Sequence, residues 1–227
     1  LGVVALGTVS QAQMRYHDPL VGRDLRRSFW KGKIKRANYK GSSGKAIVLY
    51  DTSGTFGWAG DLYSQQLANL LTHFDLNVTL QPIETYKSGM LKQNDIAFYL
   101  GFVYDNPLPA AFKADVMADK NPFCWAGFNI WQVAWTNSAY RAHDPAFVAR
   151  TGMQFMGLDD TGYPTVQYKG INLVKEQNAY VEGAVQITNP SLASVVALSS
   201  DTDGSSLPYI TKAGSKFCYV ADNPMMD

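Results

Sequence analysis

The chain has 227 residues, a net charge of +1, 46% hydrophobic residues and 13% aromatic residues. That content suits one core of ordinary domain size, and no run of about 20 apolar residues is present to cross a membrane as a helix. Two cysteines, Cys124 and Cys218, exclude a disulfide framework and a cysteine metal cluster but leave a single disulfide open.

Residues 1–12, LGVVALGTVSQA, read as the tail of a signal peptide. Leu1 to Val9 is an apolar core, and Ser10-Gln11-Ala12 is a small-x-small cleavage pattern before Gln13. This predicts a secreted or periplasmic protein. Residues 13–44 then form a basic linker or arm. From Arg15 to Lys45 there are ten basic residues against Asp18 and Asp24, so this stretch is near +8 and the rest of the chain near −7. Such a run is either a solvated lead-in or a surface for an acidic polymer. No RNA-binding aromatic motif or recognition-helix pattern accompanies it, so a nucleic-acid partner is not expected.

Lys45 to Tyr50 is an apolar run suited to a buried strand. A helix follows, with Leu62, Tyr63, Leu67, Leu70, Leu71 and Phe74 near a 3.6-residue period. Leu76 to Leu80 alternates as a strand. Asp95 to Phe102 is a third apolar run, closed by the turn residues Asp105-Asn106-Pro107. Residues 109–119 predict a helix, Pro122 to Ala126 a fourth strand, and 138–156 a weaker helix. Alternation at this spacing predicts parallel strands with right-handed crossovers over residues 45–157. The pattern changes after Gly157, and residues 164–222 show no convincing helix. Thr165 to Val174, Ala184 to Thr188, Ser194 to Leu198 and Lys216 to Val220 predict a β-rich antiparallel extension over residues 158–227.

In an open parallel sheet, ligands sit beyond the carboxyl ends of the strands. The loop DTSGTFGWAGD, residues 51–61, falls there. Its glycines 54, 57 and 60 match neither the dinucleotide fingerprint nor a P-loop. Thr52-Ser53-Gly54-Thr55 is hydroxyl-rich, as in a flavin-phosphate loop, yet Phe56-Gly57-Trp58 separates it from the helix that should meet the anion. The alternative is a turn in which glycines permit positive φ and Asp51 or Asp61 caps nearby backbone. Aromatic and amide side chains collect at the same predicted edge. The candidate ligand-binding residues are Asp51, Ser53, Trp58, Asp61, Tyr104, Asp105, Asn129, Trp131 and Gln132. Aromatic faces with Asn, Asp and Gln around them suit a sugar; the competing reading is an aromatic cluster that covers the sheet edge or docks a neighbouring domain.

No catalytic or metal-binding constellation stands out. Cys124 lies in PFCWAGFN, with Phe123 in the slot before it, whereas a nucleophile elbow would read G-x-C-x-G and would need a histidine partner. His17, His73 and His143 are far apart in sequence, and Asp159-Asp160-Thr161-Gly162 reads as a turn.

The stretches IVLYDTSGTFGWAGDLYSQQLANLLTHF, YLGFVYDNPLP, CWAGFNIWQVAW, VQYKGINLV and LPYITKAGSKFCYVADNP resemble the N-terminal region of bacterial predicted polysaccharide deacetylases, over roughly residues 45–224. In those proteins an α/β domain, flavodoxin-like or class I amidotransferase-like, precedes a NodB-like carbohydrate esterase domain. The resemblance implies an α/β fold with an open parallel sheet over 45–157, followed by the β-rich extension. It implies a non-catalytic accessory domain of a secreted deacetylase-like protein, with an extracellular polysaccharide and the C-terminal esterase domain as partners. That esterase domain would begin after Asp227, and the family's divalent metal would belong to it, leaving this chain without a cofactor. Two alternatives stay open: a stand-alone hydrolase using Cys124 or an acidic pair, and a flavin-binding module built on residues 52–55.

Overall fold

The computed structural model describes residues 44–118, 121–137, 142–175, 181–214 and 216–223. The leader-like residues 1–12, and the basic stretch up to residue 43, lie outside them. The described residues fall within one compact unit, Tyr39–Asp227.

The three apolar runs form strands β1 (Gly44–Tyr50), β3 (Ile96–Gly101) and β4 (Phe123–Gly127), with β2 (Leu76–Pro82) beside β1. Helix α1 (Gly57–Leu71) connects β1 to β2, and α2 (Ala110–Ala118) connects β3 to β4. All of these strand pairs are parallel. After β4 come a short helix α3 (Trp131–Ala134), the small hairpin β5 (Trp135–Asn137) and β6 (Ala142–His143), and helix α4 (Pro145–Thr151). Then follow β7 (Met153–Asp159), β8 (Thr165–Tyr168), β9 (Ile171–Val174), β10 (Glu182–Ile187), β11 (Ala193–Ser200), β12 (Ser206–Ala213) and β13 (Phe217–Val220).

The expected open parallel sheet, flavodoxin-like or amidotransferase-like with a β-rich extension behind it, is corrected by this topology. A single nine-stranded mixed sheet runs β2-β1-β3-β4-β13-β12-β11-β8-β9. The reason is β13. It pairs parallel with β4 on one side and antiparallel with β12 on the other. Phe217, Tyr219 and Val220 are buried, so FCYV is an interior strand, and the antiparallel strands continue the sheet. Strand β7 pairs with β10 in a separate two-stranded sheet, bulged between Ala184 and Val185.

Local chemistry explains the remaining differences. The helix expected over 138–156 gives way, in its described part, to α4 and β7. Asp144 caps α4 by accepting the amides of Ala146 and Phe147 at 2.8 and 2.9 Å, Pro145 opens it, and Gly152 at φ 68° ends it. Residues 165–174 are a hairpin rather than one strand, because Lys169 and Gly170 both take positive φ, as a two-residue turn requires.

The core covers both faces of β1, whose consecutive residues Ala46, Ile47, Val48, Leu49 and Tyr50 are all buried. Tyr99, Trp125 and Tyr219 stand in one row across β3, β4 and β13, with Phe123 and Phe217 in the next. Phe112 of α2 packs on Tyr99, Trp125 and Phe123 at centroid distances of 5.4, 5.7 and 6.0 Å. Phe147 of α4 meets Phe217 edge-on at 5.9 Å. Such aromatic pairs add about 0.5–1.5 kcal/mol each beyond area burial.

Candidate functional site

Because β1, β2, β3, β4 and β13 run parallel, the loops beyond their carboxyl ends meet at one edge of the sheet. Asp51 leaves β1 fully buried. Its carboxylate accepts four hydrogen bonds: from the Tyr99 hydroxyl (2.8 Å), the amides of Phe102 and Val103 (both 2.9 Å) and the Asn106 side-chain amide (2.8 Å). Burial pushes the carboxyl up to about 6, while the Val103 amide, Asn106 and Tyr99 pull it down. Burial, then the Asp51 charge, holds the Tyr99 phenol well above 10. Asn129 completes this centre. It sits at φ 75° and donates to the Tyr99 hydroxyl (3.0 Å) and the Val103 carbonyl (2.9 Å). Asn223, beyond β13, donates to the Gly101 carbonyl at 3.0 Å.

A second carboxylate lies beside the first. Glu84, just past β2, accepts the amides of Thr52 and Ser53 and the Thr52 hydroxyl, each at 2.9 Å. Burial alone would raise Glu84, but these donors hold it below the usual carboxylate range. The loop amides that would cradle a flavin phosphate already face a carboxylate of the same chain. The Ser53 hydroxyl turns to the Asn106 side-chain oxygen at 2.7 Å.

The glycines of this loop have two purposes. Gly54 takes φ 70°, as a turn glycine should. Gly57 and Gly60 serve close approach instead: a Cβ on them would lie 2.1 Å from the Thr52 carbonyl oxygen and 2.0 Å from that of Asp51. Helix α1 therefore presses directly on the strand end. Its N-cap is Phe56, with no side-chain cap, so neither Asp51 nor Asp61 caps this helix; Asp51 instead takes the amides beyond β3.

Of the nine candidate residues, Asp51, Ser53, Asn129 and Gln132 enter one connected set of hydrogen bonds, and Trp131 and Asp105 form a separate bonded pair. Asp51, Ser53 and Asn129 are described above. Gln132 accepts the Leu108 amide at 3.0 Å and donates to the Asn106 carbonyl at 2.6 Å. The Trp131 indole donates to Asp105 at 3.1 Å, and Asp105 stands at φ 56°. Tyr104 joins by ring contact, 5.2 Å from Trp131 and 5.9 Å from Phe128. Trp131 is buried, stacked at 6.2 Å on Phe155, so its ring faces are used internally. Trp58 and Asp61 lie half-buried in the first turns of α1. Ser53 and Asp105 are exposed. Glu84, Tyr99 and Asn223 belong to the centre and carried no sequence signal beyond their places near strand ends.

The two other chemistries weighed from the sequence fall elsewhere. Cys124 is the second residue of β4, away from the carboxyl edge, and its thiol lies beside Cys218. Asp159 accepts the Thr161 amide at 3.0 Å, which is a turn contact. Among the described residues no group of three or more His, Cys, Asp or Glu side chains gathers as a cation site, and no helix is long and apolar enough to cross a membrane.

No family model matches the sequence, and no characterised protein sequence matches it either. Solved structures do share the fold. The exo-β-1,4-mannosidase Op5Man5 from Opitutaceae bacterium strain TAV5 superposes with a TM-score of 0.52 at 9% identity, over 88% of this chain and 34% of that one. Gan42B, a GH42 β-galactosidase from G. stearothermophilus, superposes with a TM-score of 0.51 at 14% identity, over 82% of this chain and 28% of that one. The chain thus spans about a third of the length of the glycosidases whose fold it shares.

Proposed function

We propose that this chain is a non-catalytic module of a carbohydrate-processing protein, and that the carboxyl edge of its parallel strands offers a saccharide-facing rim. The observation that carries this reading is the saturation of the edge's two central carboxylates. Asp51 is buried under four donors and Glu84 is held by three, so both brace loops together rather than meet a substrate. Ser53 and Asp105 are exposed and Trp58 and Tyr104 half-exposed at this edge, which combines aromatic faces with polar rims. The shared fold supports the same reading, because there it forms one part of larger glycosidases. The sequence resemblance to polysaccharide deacetylases supports a parent protein that removes acyl groups from an extracellular polysaccharide, and a secreted or periplasmic setting.

The test is titration with neutral, acidic and amino-sugar oligomers, read by tryptophan fluorescence and calorimetry. Binding of one class that Trp58→Ala abolishes supports the rim. Turnover of a sugar ester or glycoside by this chain, lost in Glu84→Gln, overturns the non-catalytic reading.

A further inference from the structure

We propose that Cys124 and Cys218 form a thiol–disulfide exchange site, reversibly oxidised to a cross-strand disulfide by low-molecular-weight disulfides. The two residues are register partners on the adjacent parallel strands β4 and β13. Neighbouring strands lie about 4.8 Å apart, inside the ~4.4–6.8 Å Cα separation that a disulfide spans. In-register partners project from the same face, and the two thiols lie within hydrogen-bonding reach of each other. Both are free and only partly buried.

The row they belong to is asymmetric. It runs Phe98, Cys124, Cys218, Lys212 across β3, β4, β13 and β12. Cys124 therefore has a phenyl ring on its outer side, and Cys218 has an ammonium group on its outer side. The hydrogen bond from the Cys124 thiol, then Lys212, favours the thiolate at Cys218, while Cys124 is held as a thiol by that hydrogen bond and by burial. Cys218 is the attacking sulfur and Cys124 the resolving one.

With oxidised glutathione as the disulfide, the Cys218 thiolate attacks one of its sulfurs. The glutathione S–S bond breaks, one glutathione thiolate leaves and takes a proton from water, and Cys218 carries a mixed disulfide. Cys124 then loses its proton to water, and its thiolate attacks the Cys218 sulfur and expels the second glutathione. Two protein thiols are oxidised and one small disulfide is reduced to two thiols. The product ties the last parallel strand covalently to β4, and excess thiol reverses it.

The experiment is incubation of the folded chain with oxidised glutathione, acid quenching, alkylation and mass analysis, with circular dichroism confirming that each variant stays folded. The wild type is expected to lose both alkylatable thiols without gaining glutathione. Cys124→Ser is expected to accumulate one glutathione on Cys218, and Cys218→Ser to react at least tenfold more slowly. Three results would overturn the proposal. In the first, the folded wild type keeps both thiols while an unfolded control reacts. In the second, glutathione is retained on the wild type. In the third, the two variants react at equal rates.

Discussion

Asp51 and Asn106 are joined by a 2.8 Å hydrogen bond, and through it the end of β1 is fastened to the loop beyond β3. The same Asn106 accepts the Ser53 hydroxyl through its side-chain oxygen and gives its backbone carbonyl to Gln132. One residue, through its side-chain amide and its backbone carbonyl, thus links three of the strand-end loops. Replacing Asp51 with Asn leaves one oxygen where two served four donors. With at least one buried donor unpaired, the cost is roughly 1–3 kcal/mol, or a fall of about 2–4 °C in melting temperature per kcal/mol for a chain of this size. Thermal unfolding of Asp51→Asn beside the wild type measures it.

The same residue carries a pH signature. Its folded pKa of about 6 lies above the ordinary 3.8, so its favourable contribution is full below about pH 4 and is lost as pH rises through 6. The difference corresponds to ~3 kcal/mol. Urea unfolding of wild type and Asp51→Asn across pH 4 to 7.5 should show the wild type losing stability relative to the variant within that window. Glu84 acts in the opposite sense. Its folded pKa is below the ordinary 4.5, so its contribution is present above that value and fades as pH falls, and Glu84→Gln should remove that acid-side loss.

Gly57 and Gly60 are predicted to be intolerant for reasons of space. Gly57→Ala or Gly60→Ala places a methyl about 2 Å from a backbone carbonyl oxygen, and α1 must lift from the end of β1. A cost of roughly 1–3 kcal/mol is expected, despite the better helix propensity of alanine. Chemical denaturation of the two variants gives the answer; unchanged stability would mean that α1 does not press on this strand end.

A buried ion pair between Lys175 and Glu182 offers a further check. Both side chains are almost fully enclosed. Ser199 donates to the other Glu182 oxygen at 2.6 Å, and the Lys175 ammonium lies 4.8 Å from the centre of the Tyr209 ring. Lys175→Met alone strands a buried carboxylate and should cost about 3–5 kcal/mol. The double change Lys175→Met with Glu182→Leu should recover much of that loss. A double-mutant cycle read by urea unfolding separates the two cases.

Strong local patterns made β1, β3, β4, α1 and α2 legible in the sequence, since apolar runs and a 3.6-residue period survive into the fold. The role of β13 was not legible. FCYV looks the same whether it pairs parallel with β4 or antiparallel with a neighbour, and its partner Phe123-Cys124-Trp125-Ala126 is remote in the chain. The strand ends placed the candidate residues at one edge of the sheet, where Asp51, Ser53, Asn129 and Gln132 are joined by hydrogen bonds and Trp131 bonds Asp105. Their use was harder to foresee. Trp131 reads as a candidate sugar-facing ring but is buried between Tyr104 and Phe155, and Glu84, which stands in no sequence motif, fills the amide cradle at Thr52 and Ser53. Satisfaction of buried donors depends on which loops meet, and spacing within one loop does not encode that.

The most direct measurement is the oligosaccharide titration of wild type, Trp58→Ala and Tyr104→Ala. Saturable binding of one saccharide class, weakened at least tenfold by either substitution while the fold is kept, is the predicted result. No binding of any class, or binding untouched by both substitutions, would contradict a saccharide-facing rim at the carboxyl edge of the sheet.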